Sequence, residues 1–365
     1  MGLLRAGGMQ SSGRFMNLPL FARLLILCVC IAPPVLAETA TPFSAPPAEA
    51  RATAMLPVIA VKGNRFVNPQ GETVVFRGLA FSDPAELVKK GQWGRKHFEE
   101  AKKWNANIVR IPVHPADWRR TGEAEYLKLL DQAVQWAGEL GMYVIIDWHT
   151  IGNMLTGVYH LPMYVTSRDE TYRFWHTIAE RYKNNPTVAL YELYNEPTNR
   201  DGNMGPMPWA EYRELIEGLT SMVQKINPRA IVLVAGFNWG YELTHVRFDP
   251  VRASNVAYVT HPYPQKRREN WEATWQADWG YLAEHYPIVA TEFGFMQDGE
   301  RGSHVPVIGD EKYGEAIIGF FEKRGISWTP WVFDVQWTPN LLADWDYTPS
   351  RQGRFFQEKL RQLNK

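Results

Sequence analysis

The sequence predicts an α/β fold, a (β/α)8 TIM barrel preceded by a small N-terminal β-hairpin. Eight short runs rich in β-branched residues alternate with longer patterns that place apolar residues on one helix face. The first and eighth runs are separated by about 250 residues, the usual length of one such barrel. A doubly wound sheet is the alternative, but residues 77–81, which follow the first run, contain no Gly-rich phosphate-binding turn.

The predicted elements follow one another in strict alternation. The strands are expected at residues 74–79, 108–112, 143–147, 188–194, 231–235, 256–260, 288–292 and 327–333. The helices are expected at residues 95–104, 125–140, 168–182, 208–226, 270–285, 310–324 and 350–363. Residues 58–61 and 65–67 flank a Lys-Gly-Asn turn and predict the hairpin. Trp271, Trp275 and Trp279 recur every fourth residue, which indicates a helix face packed on the barrel.

The first 37 residues have the features of a signal peptide. They contain three arginines and no acidic residue, an apolar run at 24–32, and a small-residue cleavage site ending at Ala37. We expect cleavage after Ala37, a secreted or periplasmic protein, and no stable membrane association once the leader is removed; an uncleaved anchor is the alternative. Residues 38–56 are rich in Ala, Pro, Thr and Ser and predict a flexible linker. Residues 57–365 then form the folded domain.

Composition narrows the classes of partner. Both cysteines, Cys28 and Cys30, lie in the leader, so the mature chain would have no disulfide, thiolate nucleophile or cysteine-bound metal. The 39 basic and 39 acidic residues balance, which argues against nucleic acid binding. The 15 Trp, 16 Tyr and 17 Phe favour an uncharged partner with flat apolar faces, such as a sugar chain. We expect a monomer that binds a polysaccharide or oligosaccharide.

Polar residues end several of the predicted strands, where the active face of such a barrel lies. The candidates at these ends are Arg110, His149, Asn195, Glu196, His261, Tyr263, Glu292 and Trp331. Cleavage of a glycosidic bond needs one protonated carboxylic acid and one ionised carboxylate. Glu196 and Glu292 meet that need, because they follow the fourth and seventh strands, although either alone could be an ordinary polar strand end. A carboxylate near Arg110 would be held ionised, and the pKa of its partner would be raised.

With these strand-end motifs the chain resembles glycoside hydrolase family 5, the cellulase-type members of a clan of (β/α)8 retaining glycosidases, over roughly residues 58–363. The Asn-Glu-Pro motif at 195–197 and the Glu-Phe-Gly motif at 292–294 carry the resemblance, together with the other strand-end residues. It implies that Glu196 is the acid/base and Glu292 the nucleophile. It further implies that Asn195 binds the sugar 2-hydroxyl and that Tyr263 orients Glu292.

The resemblance also assigns roles to the remaining strand-end residues. Arg110 would help to keep Glu292 charged, and His149 and His261 would line the cleavage subsite. The family has a tryptophan platform after the eighth strand, and Trp331 fits that place better than Trp337 does. Possible further aromatic subsites on the predicted active face are Trp148, Trp209, Trp239 and Trp337.

The substrate is the least constrained part of the prediction. The resemblance favours an endo-β-1,4-glucanase acting on β-glucan, with β-mannanase, xyloglucanase and β-1,3-glucanase as alternatives that share the same catalytic residues. A noncatalytic carbohydrate-binding barrel is the rival from another class. A metal-dependent hydrolase could gather His114, His149, His261, Asp147 and Glu292, but no His-x-His motif follows the first strand. We therefore expect no metal and no cofactor.

Overall fold

The structure is a computed structural model that describes residues 55–365. The predicted signal peptide, residues 1–37, and nearly all of the predicted linker, 38–56, lie outside the described residues. Fourteen strands occur within the described part: β1 (Ala60–Lys62), β2 (Arg65–Val67), β3 (Thr73–Val74), β4 (Leu79–Ala80), β5 (Ile108–Val113), β6 (Tyr143–Trp148), β7 (Ile151–Asn153), β8 (Val158–Tyr159), β9 (Val188–Glu192), β10 (Glu196–Pro197), β11 (Ile231–Ala235), β12 (Val256–Val259), β13 (Ile288–Ala290) and β14 (Ser327–Trp328).

Eight of these strands form the predicted barrel. They pair in parallel in the order β14-β13-β12-β11-β9-β6-β5-β4. Parallel bridges join residue 77 to residue 328 and residue 81 to residue 333, and so connect the first strand to the last. A glycine is required beside the first strand, because a Cβ on Gly78 would lie 1.7 Å from the carbonyl oxygen of Ile108. The (β/α)8 prediction is confirmed, and the doubly wound alternative is wrong.

Two smaller sheets flank the barrel. The predicted hairpin is present as antiparallel β1 and β2, and β3 adds a third strand to it. The first predicted strand, 74–79, thus divides between this sheet and β4. On the active face β10 pairs with β7, which pairs with β8. This small sheet fixes the segment that carries Glu196.

Ten α-helical segments occur in the described part, besides short 3-10 turns: α1 (Pro84–Lys89), α2 (Arg95–Lys103), α3 (Pro115–Thr121), α4 (Glu123–Glu139), α5 (Arg168–Tyr182), α6 (Trp209–Ile226), α7 (Phe237–Gly240), α8 (Trp271–Asp278), α9 (Glu311–Glu322) and α10 (Arg351–Leu363). Side-chain N-caps at Ser167, Asp310 and Ser350 mark three of their starts. The helix predicted at 270–285 is divided, since α8 ends at Asp278 and a 3-10 turn follows at Gly280–Glu284. Segments α1, α3 and α7 were not predicted.

The barrel has a core on each side of its strands. One core lies between strands and helices and contains Trp275 and Trp279. Both rings are buried, as the recurrence of tryptophan at every fourth residue predicts. The other fills the barrel interior and includes Ile108, Tyr143, Ile145, Leu190, Leu233, Val259 and Val289, with Ile59 and Phe66 from the N-terminal segment. Among residues 55–365 no helix combines the length and apolar character needed to cross a bilayer.

Candidate active site

Strand alternation places the charged residues of the barrel in one layer. Side chains at positions i and i+2 of a strand share a face. Ile108 and Ile145 belong to the interior core, so Arg110 and Asp147 also point into the barrel, one layer closer to the active face. Glu192 lies in the same layer, two residues beyond the interior Leu190 on β9. All three charged side chains are fully buried.

Arg110 is the centre of this layer. Its Nε and Nη2 donate to Glu192 at 2.7 and 3.0 Å, a bidentate pair. Its Nη1 donates to Glu292 Oε1 at 2.8 Å. Its Nη2 also donates to Asn195 Oδ1 at 2.6 Å and lies 2.9 Å from Asp147 Oδ2. A guanidinium with so many partners cannot rotate freely, so Arg110 fixes the carboxylate of Glu292.

Glu292 is held through both carboxylate oxygens. Tyr263 donates to Oε2 at 3.1 Å, while Oε1 accepts from Arg110. Burial raises the pKa of Glu292, and the negative charge of Glu196 adds to the rise, whereas the charges of Arg110 and His261 oppose it. Arg110 contacts Glu292, and its charge lowers the pKa of that carboxyl in the direction the sequence analysis expects, but burial is the larger effect and the pKa is raised overall.

Glu196 is held by a histidine on the neighbouring side of the cleft. His261 Nδ1 lies 2.9 Å from Glu196 Oε1, and Nε2 lies 2.9 Å from the Thr291 hydroxyl. Burial alone would lower the pKa of His261, but the carboxylates of Glu292, Glu192 and Glu196 outweigh it and raise the pKa to about 9. His261 is therefore a cation at neutral pH and can donate to Glu196.

The two glutamates are close together. One carboxylate oxygen of Glu196, one of Glu292 and a ring nitrogen of His261 all lie within 4.8 Å of one another. Retaining glycosidases place their carboxyl groups about 5–5.5 Å apart, and inverting enzymes leave about 6.5–9.5 Å for a water molecule. The short separation of these oxygens is compatible with a retaining pair.

His149 and Trp331 lie beside this pair. Their rings stack at 5.3 Å with 3° between planes, and His149 Nδ1 lies 2.6 Å from Asp147 Oδ2. Burial and the nearby charges of His114 and Arg110 lower the pKa of His149 well below its ordinary value, so the ring is neutral. Neighbouring Asn195 has a buried Nδ2 without a hydrogen-bond partner among residues 55–365. Such a donor is suited to a substrate hydroxyl.

Three residues of this network, Glu192, Asp147 and Thr291, were not among the predicted site residues. Glu192 pairs with Arg110 and accepts a hydrogen bond from the Thr291 hydroxyl at 2.8 Å. Asp147 contacts both Arg110 and His149, and its pKa is raised well above the ordinary value by burial and by the Glu192 charge. A glutamate inside the apolar run 188–194 was the available signal, because a buried charge requires a partner.

Two of the predicted aromatic subsites are wrong. Trp148 follows the inward Asp147, so it points outward into the helix layer, where its ring stacks on Phe174 at 4.1 Å. It is fully buried and offers no face to a ligand. Trp209 is buried against His245 and donates its Nε1 to the Asp249 carbonyl at 2.8 Å. Both rings therefore belong to the packing between elements.

The other two candidate tryptophans remain partly open. Trp337 is half-buried, and its ring centroid lies 6.0 Å from that of Trp331 and 5.2 Å from that of His114. Trp239 is also half-buried and lies under the ammonium of Lys266. Both positions are compatible with aromatic subsites, one beside Trp331 and one on the side of Glu196.

Two groups of described residues have oxygen and nitrogen atoms close enough to share a cation: Glu196, His261 and Glu292, and Asp83, His114 and Asp117. In the first group the pKa of His261 is raised to about 9, and Glu292 accepts a hydrogen bond from Arg110. In the second, Asp117 pairs with Lys89 and Arg120. Glu292 and Asp117 are thus already paired with cationic side chains.

Curated endoglucanases are similar to this chain in sequence. The curated Endoglucanase of Paenibacillus polymyxa is 24% identical over 339 residues, which cover 78% of this chain and 82% of that protein. Endoglucanase E-5 of Thermobifida fusca is 27% identical over 241 residues, 63% of this chain and 46% of that protein. The chain thus spans about half the length of the Thermobifida relative.

Solved structures share the fold. A β-glucanase from Saccharophagus degradans, in complex with cellotetraose, is 41% identical with a TM-score of 0.85, and the match covers 89% of this chain and 98% of that one. The sequence model of the family described as Cellulase (glycosyl hydrolase family 5) matches residues 67–336, well over half of the chain. The chain belongs to glycosyl hydrolase family 5.

Proposed function

We propose that this protein is a retaining endo-β-1,4-glucanase that cleaves β-glucan by double displacement. The observation that carries the proposal is the pair Glu196 and Glu292, of which one carboxylate oxygen each lies within 4.8 Å of the other, a short separation that suits a retaining pair. Each glutamate also has a different partner. Glu292 accepts from Arg110 and Tyr263, and Glu196 lies against His261.

The partners define the roles of the two carboxyl groups. In the first step Glu292 attacks the anomeric carbon while Glu196 gives its proton to the leaving oxygen, so the glycosidic bond breaks and a glycosyl ester forms. In the second step Glu196 takes a proton from water, the water oxygen bonds to the anomeric carbon, and Glu292 leaves as a carboxylate. Arg110 and Tyr263 hold Glu292 in line for both steps. Asn195 Nδ2 donates to the 2-hydroxyl of the sugar, where hydrogen bonds strengthen in the transition state.

Relatives support a β-1,4-linked glucan as the substrate. Curated relatives that match most of the chain are named endoglucanases, and the 41% identical β-glucanase structure contains cellotetraose, a chain of β-1,4-linked glucose. β-Mannanase, xyloglucanase and β-1,3-glucanase activities are the alternatives, because the same pair of carboxyl groups serves each of them. A noncatalytic carbohydrate-binding barrel is disfavoured by the complete and fully partnered pair of glutamates.

A substrate panel with matched variants tests the proposal. Reducing sugar release is measured on carboxymethylcellulose, barley β-glucan, mannan, xyloglucan and laminarin, with NMR of the first product. We expect carboxymethylcellulose and barley β-glucan to be cleaved with retention. Glu196→Ala should lose about 100- to 10,000-fold on glucan, and azide should restore activity on an activated aryl cellobioside. Glu315→Ala, an exposed position paired with Lys359, is the control. Inversion, or equal negligible rates for wild type and Glu292→Ala, would contradict the proposal.

We further propose that the leader directs export, that it is cleaved after Ala37, and that the mature enzyme is a monomer. The apolar run 24–32 and the small-residue site before Glu38 support export. N-terminal sequencing of protein from the culture medium or periplasm tests export and cleavage, and light scattering tests the monomeric state. A cell-bound protein that retains residues 1–37 would contradict the first.

A further inference from the structure

A short turn with left-handed backbone conformation borders the side of the cleft where Glu196 lies. In α7 the residues Asn238 and Trp239 have φ/ψ of 56/53 and 54/57, and Gly240 follows with φ of 69. Consecutive left-handed residues other than glycine are energetically unfavourable for L-amino acids. Such backbone persists only where its surroundings hold it, and it clusters at functional sites. The turn therefore needs contacts that keep it in place.

The turn is in contact with the acid/base machinery. The Gly240 carbonyl accepts the backbone N–H of His261 at 3.0 Å. A Cβ on Gly240 would lie 2.9 Å from His261 Nδ1 and 3.2 Å from the Asn195 carbonyl oxygen. His261 Nδ1 is the atom that contacts Glu196. A shift of this turn would therefore move the histidine that orients Glu196.

Lys266 holds the turn from the opposite side. Its Nζ donates to the Asn238 carbonyl at 2.9 Å and lies 3.4 Å from the Asn238 side-chain oxygen. The same ammonium lies 4.7 Å from the centroid of the Trp239 ring. Burial lowers the pKa of Lys266 to about 8, with Glu196 opposing the shift, so the ammonium is still charged at neutral pH. One cation thus binds the backbone of the first left-handed residue and the ring of the second.

We propose that Lys266 is a positioning residue that clamps the left-handed turn 238–240 and thereby sets both the acid/base Glu196 and the Trp239 ring on the leaving-group side. This inference rests on the proposed function, in which Glu196 protonates the leaving oxygen. Without the clamp, Gly240 no longer holds His261 in place, and the proton donor loses its alignment with the departing oxygen. Misplacement of a catalytic group by 1 Å costs up to about a hundredfold in rate.

The test compares Lys266→Met, Lys266→Arg and the control Lys312→Met. Lys312 is an exposed lysine on α9 that pairs with Glu269 and does not contact the turn. kcat and KM are measured on 2,4-dinitrophenyl β-cellobioside, whose leaving group needs little protonation, and on methylumbelliferyl β-cellobioside, whose leaving group needs more. Glu196→Gln is measured in parallel, and thermal unfolding verifies that each variant folds.

We expect Lys266→Met to lose about tenfold in kcat/KM on the poorer leaving group and less than about threefold on the activated one. Lys266→Arg should recover most of the loss, because a guanidinium can donate to the carbonyl and stack on Trp239. If Lys266→Met loses equally on both substrates, or does not lose at all, while Glu196→Gln discriminates between them, the proposed role of Lys266 is overturned and the acid/base assignment of Glu196 stands. Absence of discrimination in Glu196→Gln would instead overturn the acid/base assignment.

Discussion

Glu192→Gln is the substitution that tests the buried charge network most directly. Glu192 is fully buried and accepts three hydrogen bonds, two from Arg110 and one from Thr291. An amide nitrogen in place of either carboxylate oxygen would face a donor, and the charge that balances Arg110 would be lost. Removal of one partner of a buried ion pair costs about 3–5 kcal/mol. In a domain of this size that corresponds to a decrease in melting temperature of about 10 °C.

The substitution should also alter catalysis in a particular direction. The charge of Glu192 contributes to the raised pKa of Glu292 and to the raised pKa of His261, so both values should fall when it is removed. A loosened Arg110 orients Glu292 less well, and we expect kcat/KM on barley β-glucan to fall about 10- to 100-fold. The acidic limb of the pH profile of kcat/KM should move to lower pH.

The assay for Glu192→Gln combines calorimetry with a pH–rate profile, and Glu315→Gln is its control. Glu315 forms an exposed pair with Lys359, and exposed pairs contribute about 0–1 kcal/mol. The control should therefore melt close to wild type and keep its rate. A Glu192→Gln enzyme that melts within about 2 °C of wild type and keeps its pH profile would refute the reasoning. The buried carboxylate would then contribute neither to stability nor to the pKa of Glu292.

Three further predictions follow from the site. Burial raises the pKa of Glu292, which must be ionised to attack the sugar. The midpoint of the acidic limb of the kcat/KM profile should therefore lie at a pH above the ordinary glutamate pKa, and a midpoint at or below that value would contradict the role of Glu292 as nucleophile. The His261 pKa is raised to about 9, so its stabilising contribution is full below about 6.5 and is lost as pH rises through 9; His261→Gln should flatten the decline in melting temperature between these values. Trp331→Ala should lower both kcat/KM and stability, because the ring is buried beside the catalytic pair, whereas Trp148→Ala should cost about 3–5 kcal/mol of stability with a smaller effect on kcat/KM; an unchanged kcat/KM in Trp331→Ala would contradict its place in the cleft.

The barrel could be predicted because the apolar residues alone show the alternation of strands and helices. Buried parallel strands are continuous apolar runs, and each helix shows a single apolar face, so all eight strands and seven helices could be placed. The errors lie where local pattern is weak. The run at 74–79 is shared by two sheets, and only the contact of Gly78 with Ile108 shows where the barrel begins. The 270–285 segment has helical spacing, yet the chain turns at Trp279 to bury that ring, which is a tertiary effect.

The catalytic glutamates could be predicted from position along the chain, but the network that supports them could not. Glu196 and Glu292 each follow a strand, and counting strands is enough to bring them to one face. Glu192, by contrast, reads as an interruption within an apolar run, and its role depends on which side of β9 it occupies. The register between β6 and β9 decides that, because Asp147 pairs with Glu192. The same alternation places Asp147 inward and Trp148 outward, and so explains with one rule both a site residue that was missed and an aromatic subsite that was wrong.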